Sequence, residues 1–292
     1  MTVLGRKVLF VAGLTKEQFA VWEGKTEREI TYFSSDPQPA SIGVLIDVSG
    51  SVKPRVLDAA RYAAARFIEQ GHPANEYFIG EFSNKWSDLT DWQDSRTAAE
   101  ALNKLLSAPP SSTAQPKRKP HGPGAIYDAC ADAIESVMRR PNRKHVLLLI
   151  TDGQDSASRH TFKQIRSKIL ESDVQVYGIG IAEQGDPSGL DLAGQAVLDE
   201  LAGASGGRAF FPEYSKDRRE LNEAVEIIAV ELQNQYVIGF VPTNAAGAGK
   251  WNKVKIKVKV KETPLNQLPY VSFKNLSVRS REGYFSPPAA TP

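Results

Sequence analysis

The chain of 292 residues has an ordinary hydrophobic content of 41%, which fits one sizeable core with a smaller second unit beside it. Its 36 basic and 34 acidic residues nearly cancel, so the overall charge does not indicate nucleic acid or an anionic membrane as the main partner, and any electrostatic specificity must be local. The single cysteine, Cys130, excludes an intrachain disulfide and a thiolate metal site, and we expect it to be a small buried residue.

The amino-terminal part of the sequence has the pattern of short strands. Residues 19–23 and 29–33 flank the turn residues Gly24 and Lys25, and a hairpin is the simplest interpretation. The first 14 residues are too short and too interrupted by glycine for a signal peptide, and no apolar stretch approaches the roughly 20 residues that span a bilayer. The sequence therefore predicts a chain without membrane insertion.

The middle of the chain alternates short apolar runs with helical patterns, which is typical of a parallel sheet covered by helices on both faces. The expected strands are residues 42–46, 77–82, 146–150 and 174–181, with a short edge strand near residues 86–92. The expected helices are residues 54–71, 95–107, 125–140, 161–172, 190–207 and 217–235. This order predicts an α/β fold with a Rossmann-like, doubly wound and mostly parallel sheet.

The carboxyl-terminal part returns to the two-residue alternation of half-exposed strands. Isolated hairpins are marginal in water, so we expect both ends of the chain to pair into one small all-β sheet or sandwich. The expected organisation is a β segment at residues 1–38, a central α/β domain at residues 39–234, and a second β segment at residues 235–292 that pairs with the first.

Lysines alternate with aliphatic residues along one of these carboxyl-terminal strands, so they should line one of its faces. They are Lys253, Lys255, Lys257, Lys259 and Lys261. An anionic ligand is conceivable, but the favoured interpretation is that lysine keeps an exposed strand soluble and blocks edge-to-edge pairing.

The strongest local signal is the segment IGVLIDVSGSVKP, in which an apolar strand ends in Asp47 and Ser49 and Ser51 follow before a helix begins at Pro54. A loop at the carboxyl end of a parallel strand lies where open α/β sheets bind their ligands, and Gly50 permits a tight path. Carboxylate and hydroxyl oxygens suit Mg²⁺ or Ca²⁺, and no histidine or cysteine lies nearby in sequence to favour zinc or copper. Taken alone, the same residues are equally typical of a strand-to-helix turn with a serine cap.

A second apolar strand, HVLLLITDG, ends in Asp152 followed by Gly153. Because parallel strands finish on the same edge of a sheet, Asp152 should reach the site of Asp47. Two facing carboxylates repel each other unless a cation lies between them. The sequence therefore predicts a divalent metal site at Asp47, Ser49, Ser51 and Asp152.

The D-x-S-x-S run at Asp47, Ser49 and Ser51, followed about a hundred residues later by T-D-G around Asp152, resembles the metal-ion-dependent adhesion site (MIDAS) of von Willebrand factor type A domains. The segments GLTKEQFAVWEGKTEREITYF, GAIYDA, QYVIGF and VRSREGYF extend the resemblance over nearly the whole chain, to a bacterial branch called VWFA-related, of acidobacterial type. The resemblance implies a secreted or otherwise extracytoplasmic location, with the signal peptide missing from this chain.

The resemblance also implies how the metal is held. The two serines would bind it directly, the aspartates directly or through water, and a carboxylate from a protein partner would complete the coordination. Most such domains add a threonine from a third loop, but here Gly124 stands at that place. The sequence thus departs from the pattern by one ligand, which puts the metal affinity in doubt.

Three functions are compatible with the sequence. The first is a non-catalytic adhesion or protein-binding module that captures an acidic residue of a partner through Mg²⁺, Ca²⁺ or Mn²⁺. The second is a metal-dependent hydrolase, although no nucleophile or general base is visible near the ligands. The third is a metal-independent scaffold with a degenerate site. Asp155 and Ser156 are typical of a polar loop beside a helix start and receive no role. Asp128 lies within a helical pattern, so we expect a solvated or capping carboxylate there.

Overall fold

The computed structural model describes residues 1–5, 10–84, 86–107, 122–183, 192–215, 217–242, 249–259 and 276–286. Within these residues no helix is both long enough and apolar enough to cross a bilayer. Lys261, the last lysine of the predicted alternation, lies outside them.

A six-stranded sheet forms the centre of the molecule. Its strands are β5 (Ala40–Asp47), β6 (Glu76–Phe82), β7 (Trp86–Asp94), β8 (Lys144–Ile150), β9 (Val174–Ile179) and β11 (Arg208–Phe210), in the spatial order β11-β9-β8-β5-β6-β7. All neighbours are parallel except β7, which pairs antiparallel with β6 at one edge. The predicted doubly wound, mostly parallel sheet and its edge strand are confirmed.

Six helices cover the two faces of this sheet. They are α1 (Pro54–Glu69), α2 (Ser95–Ser107), α3 (Ile126–Met138), α4 (Phe162–Glu171), α5 (Leu192–Ser205) and α6 (Arg219–Gln233). One core packs α1, α2 and α6 against the sheet, and a second core packs α3, α4 and α5 against the opposite face. Because both faces are covered, β5 is buried along its whole length. Cys130 of α3 is also buried, and this burial raises the pKa of its thiol to about 12.

The two ends of the chain pair with each other beside the α/β unit. Strand β1 (Thr2–Leu4) pairs with β15 (Ser277–Arg279), and β4 (Ile30–Ser34) pairs with β13 (Val237–Phe240). A four-stranded sheet has the order β16-β14-β2-β3, formed by β2 (Phe19–Glu23), β3 (Thr26–Arg28), β14 (Trp251–Val258) and β16 (Gly283–Phe285). Two further short strands, β10 (Ala182–Glu183) and β12 (Glu213–Tyr214), pair in parallel.

The predicted amino-terminal hairpin has a different second strand. The turn at Gly24 and Lys25 is present, with Gly24 at a φ of 59°, but it connects β2 to β3, with Glu23 opposite Thr26. The predicted partner near residues 29–33 belongs to β4 and pairs with the distant β13. Ile30 is the first apolar residue after the turn, and its side chain is buried in the core shared by both chain ends. Residues 30–34 therefore form a separate strand beyond the hairpin.

Tyr236 connects the α/β unit to this β region. Its side chain is buried, its hydroxyl donates to the Val11 carbonyl at 2.9 Å, and the same hydroxyl accepts the Leu14 N–H at 3.0 Å. Its ring packs against Phe19 and Phe33, with centroids 5.2 and 5.9 Å away. A buried tyrosine with its hydroxyl fully bonded fixes both packing and orientation. The chain three residues after α6 is therefore tied to the amino-terminal segment.

Candidate functional site

Four predicted site residues lie at the carboxyl ends of two neighbouring parallel strands. Asp47 is the last residue of β5, and Ser49 and Ser51 lie in the loop before α1. Asp152 lies two residues after the end of β8, the strand that pairs directly with β5. The loops after adjacent parallel strands thus bring these side chains to one edge of the sheet, as the sequence pattern predicts.

Asp47 is the buried centre of this site, with 1% of its surface exposed. Its Oδ1 accepts the Ser49 N–H at 2.8 Å, and its Oδ2 accepts the Thr151 hydroxyl at 2.6 Å. Burial raises the pKa of this carboxyl from 3.8 to about 6, the hydrogen bond from Thr151 opposes that shift, and the charge of Asp152 adds to it. An ionised Asp47 is therefore costly in the absence of a compensating positive charge.

The two serine hydroxyls face each other at the surface side of Asp47. The Oγ atoms of Ser49 and Ser51 are 3.0 Å apart, with Ser49 buried and Ser51 exposed. The Gly50 N–H donates to the Gly122 carbonyl at 3.2 Å, which holds the serine loop against the loop before α3. A surface pocket of about 370 Å³ opens here, and Gly50, Ser51 and Gly124 are among its lining residues.

Gly124 lines this pocket and lies beside Ser49. A Cβ atom at position 124 would lie 3.5 Å from the Ser49 Oγ and 3.0 Å from the Gln154 carbonyl. The Gly124 carbonyl also accepts the N–H groups of Ser156 and Ala157 at 2.9 and 3.0 Å. The position is thus adjacent to the serine pair, but it contributes no side-chain oxygen.

The loop after Asp152 provides caps for the start of α3, a role that the sequence interpretation did not assign. No side chain of α3's own N-cap residue bonds the first turn. Instead, the Ser158 hydroxyl accepts the N–H groups of Tyr127 and Asp128, both at 3.1 Å. The Ser158 hydroxyl in turn donates to the Asp155 carboxylate at 2.5 Å. These bonds satisfy N–H groups that a helix start otherwise leaves unpaired.

Asp128, in the first turn of α3, forms hydrogen bonds to the same loop. Its carboxylate accepts the backbone N–H groups of Arg159 and His160 at 3.2 and 3.0 Å, and it lies 2.6 Å from the His160 Nδ1. Burial by itself would raise the pKa of Asp128, but the hydrogen bonds from His160 and Arg159 outweigh it and hold the pKa well below its usual range. The expectation of a solvated or capping carboxylate is therefore refined, since Asp128 fixes the loop that carries Asp152.

We expect Asp128→Ala to destabilise the chain by about 2 kcal/mol, because it removes several hydrogen bonds to a charged acceptor. Asp132→Ala is the matched control, since Asp132 is exposed on the same helix and should cost less than about 0.5 kcal/mol. Urea unfolding at neutral pH measures both. Equal losses in the two variants would show that the Asp128 contacts contribute nothing specific.

The chemistry of the site is set by oxygen atoms. Among the described residues, no group of three or more histidine, cysteine, aspartate or glutamate side chains could hold a metal ion. The site instead combines the carboxylates of Asp47 and Asp152 with two hydroxyls, which is an arrangement that suits a hard divalent cation. The raised pKa of Asp47 fits such a cation, because a positive charge would offset both its burial and the repulsion from Asp152.

Comparison with known proteins gives a consistent picture. The model of the von Willebrand factor type A domain family matches residues 41–226. No curated protein sequence matches the chain significantly.

Several solved structures share the fold at low sequence identity. Proximal thread matrix protein 1 from the mussel byssus, solved with a zinc-occupied MIDAS motif, is 16% identical with a TM-score of 0.51, over 72% of this chain and 49% of that one. The PilB minor pilin from Streptococcus sanguinis is 13% identical with a TM-score of 0.50, over 68% and 62% of the two chains. BatB from Bacteroides thetaiotaomicron is 16% identical with a TM-score of 0.47, over 65% and 99%.

Proposed function

Because the chain belongs to the von Willebrand factor type A domain family, we propose that it is a non-catalytic, divalent-metal-dependent protein-binding module that captures an acidic residue of a partner. The observation that supports this most is the buried Asp47, which burial and the charge of Asp152 make unfavourable to ionise without a cation. The mussel protein with zinc in its MIDAS motif supports the same class of site on a related fold.

Each residue has a separate part in this proposal. Ser49 and Ser51 would hold the ion through their paired hydroxyls, and Asp47 and Asp152 would supply negative charge directly or through water. Thr151 fixes the orientation of the Asp47 carboxylate through its 2.6 Å hydrogen bond. Mg²⁺, Ca²⁺ or Mn²⁺, when bound, would supply a coordination position for an incoming carboxylate.

The pocket beside Ser51 is where the partner would approach. Ser51 is exposed and Gly124 adds no side chain to the pocket lining, so an incoming carboxylate has room next to the serine pair. The proposal includes an extracytoplasmic location, which is supported by the family resemblance.

A peptide-display selection tests the partner half of the proposal. The chain would be presented with a random peptide library in Mg²⁺, and the bound peptides would be released with a chelator. We expect the enriched peptides to share an aspartate or glutamate and to lose binding when that residue becomes its amide. They should not bind the Ser51→Ala variant. Enrichment of peptides without an acidic residue, or equal retention in chelator, would contradict metal-dependent capture, whereas metal-dependent ester hydrolysis would favour the hydrolase alternative.

We further expect Gly124→Ser to tighten divalent metal binding about tenfold, which corresponds to roughly 1.4 kcal/mol. The new hydroxyl would start from a Cβ only 3.5 Å from the Ser49 Oγ and could add an oxygen ligand. Gly124→Ala is the control, because it meets the same Gln154 carbonyl but brings no oxygen. Calorimetry measures the metal affinity of the parent chain and of both variants. Equal metal affinities of Gly124→Ser and Gly124→Ala would show that residue 124 does not coordinate the metal.

A further inference from the structure

The outward face of the four-stranded sheet carries a row of lysines with aromatic side chains beside it. Residues directly opposite in antiparallel strands project to the same side, so the register of β14 with β2, β3 and β16 defines this face. We call it the lysine face, and its strand members are Lys253, Lys255, Lys257, Trp22, Glu27, Trp251 and Phe285. Lys259, which directly follows β14 and contacts Glu27, extends the row. All four lysines are exposed.

The pairing of β14 bears on the simplest explanation for these lysines. The sequence predicts that these lysines keep an exposed strand soluble and block its edge-to-edge pairing. Among the described residues, β2 pairs with residues 254–258 of β14 on one side, whereas β16 pairs only with residues 251–253 on the other. The exposure of the four lysines is confirmed, and edge protection stays a prediction for the part of β14 beyond Lys253.

The lysine face is electrostatically unbalanced. Alternate residues of a strand are about 7 Å apart, which is within the Debye length of about 8 Å at physiological salt, so neighbouring lysines repel each other. Among the strand residues of this face, Glu27 is the acidic member, and its Oε1 lies 3.2 Å from the Lys259 Nζ. The row from Lys253 to Lys257 thus keeps an excess of positive charge over roughly 14 Å.

Aromatic side chains lie among these charges. Trp22 is half-buried between Lys255 and Glu27 in the register, and the Lys257 Nζ lies 5.2 Å from the centroid of its ring. At the other end, the rings of Trp251 and Phe285 pack edge to face with centroids 4.9 Å apart. Tryptophan beside lysine is the combination that suits the boundary between lipid headgroups and acyl chains.

We propose that the lysine face docks the protein peripherally on an anionic lipid surface. A bilayer presents negative charge in a plane and requires no matching register, which suits charges that project from the face of a sheet. Single-stranded nucleic acid, whose bases stack on aromatic rings, is the competing anionic occupant, and the experiment below distinguishes it. The interaction is separate from the proposed metal site and should not respond to a chelator.

Vesicle flotation with the full chain tests this proposal. Vesicles of phosphatidylcholine with about one third phosphatidylglycerol would be compared with vesicles of phosphatidylcholine alone. We expect binding only to the anionic vesicles, loss of that binding in about 0.5 M salt, and no effect of chelator. The double variant Lys255→Glu/Lys257→Glu should lower the partition coefficient about a hundredfold.

The control is Lys104→Glu/Lys163→Glu, which changes the net charge equally at exposed positions of α2 and α4. It should retain most of the binding, and circular dichroism checks that both double variants are folded. Equal loss in the two double variants, or no preference for the anionic vesicles, would overturn the proposal. Absence of vesicle binding, together with binding of oligothymidylate through the same lysines, would also overturn the proposal.

Discussion

In a chelating buffer at neutral pH, Asp47→Asn should be more stable than the parent chain by about 2 kcal/mol, while its affinity for divalent metal should fall at least a hundredfold. The folded-state pKa of Asp47, about 6, lies above its ordinary value of 3.8, so folding favours the protonated carboxyl. The stability that this group contributes is fully present below about pH 4 and is lost as the pH rises through about 6. Asparagine keeps the shape of the side chain without the charge.

Urea unfolding between pH 4 and pH 8 measures this effect. The stability difference between Asp47→Asn and the parent chain should shrink as the pH falls towards 4, and saturating Mg²⁺ should stabilise only the parent chain. Thr151→Val serves as a comparison, because it removes the hydrogen bond to Asp47 and leaves the charge in place. A parent chain more stable than Asp47→Asn at neutral pH without metal would show that Asp47 is not under electrostatic strain.

Gly207→Ala should produce the largest loss of stability, about 3 kcal/mol or more, which lowers the melting temperature by roughly 10 °C. A Cβ atom at position 207 would lie 1.8 Å from the Val176 carbonyl oxygen of β9, so the backbone itself would have to move. The Ser205 hydroxyl accepts the Val176 N–H at 2.8 Å, and this bond would be disturbed as well.

Gly203→Ala is the matched control for that prediction. Gly203 lies four residues earlier within α5, and a Cβ there would meet nothing within 4 Å. Alanine in an exposed helix interior should therefore stabilise the chain by up to about 1 kcal/mol. Thermal unfolding of the two variants should give shifts of opposite sign, and a loss of similar size in both would contradict the steric explanation.

The parts of the fold that the sequence predicts are those set by local pattern. The apolar runs ending in Asp47 and Asp152 identify two adjacent strands, and the parallel order places their ends together. Pro54 at the start of α1 marks a helix boundary in the same local way.

The parts that the sequence does not predict depend on partners far along the chain. β4 pairs with β13 about 200 residues away, and nothing within residues 29–33 distinguishes that partner from the adjacent hairpin. The capping contacts of Asp128 and Ser158 join residues about 30 apart whose side chains look like ordinary loop residues. The alternation of Lys253 to Lys259 predicts an exposed face, but only the pairing register shows which part of the strand has a partner on each side.

The central claim is that Asp47, Ser49, Ser51 and Asp152 hold a divalent cation. Calorimetric titration of Mg²⁺, Ca²⁺ and Mn²⁺ into the purified chain tests it most directly, with Asp47→Ala and Asp152→Ala as variants. We expect saturable binding of one ion per chain that is lost in Asp47→Ala and strongly weakened in Asp152→Ala. Absence of binding by the parent chain, or binding that survives in Asp47→Ala, would contradict it.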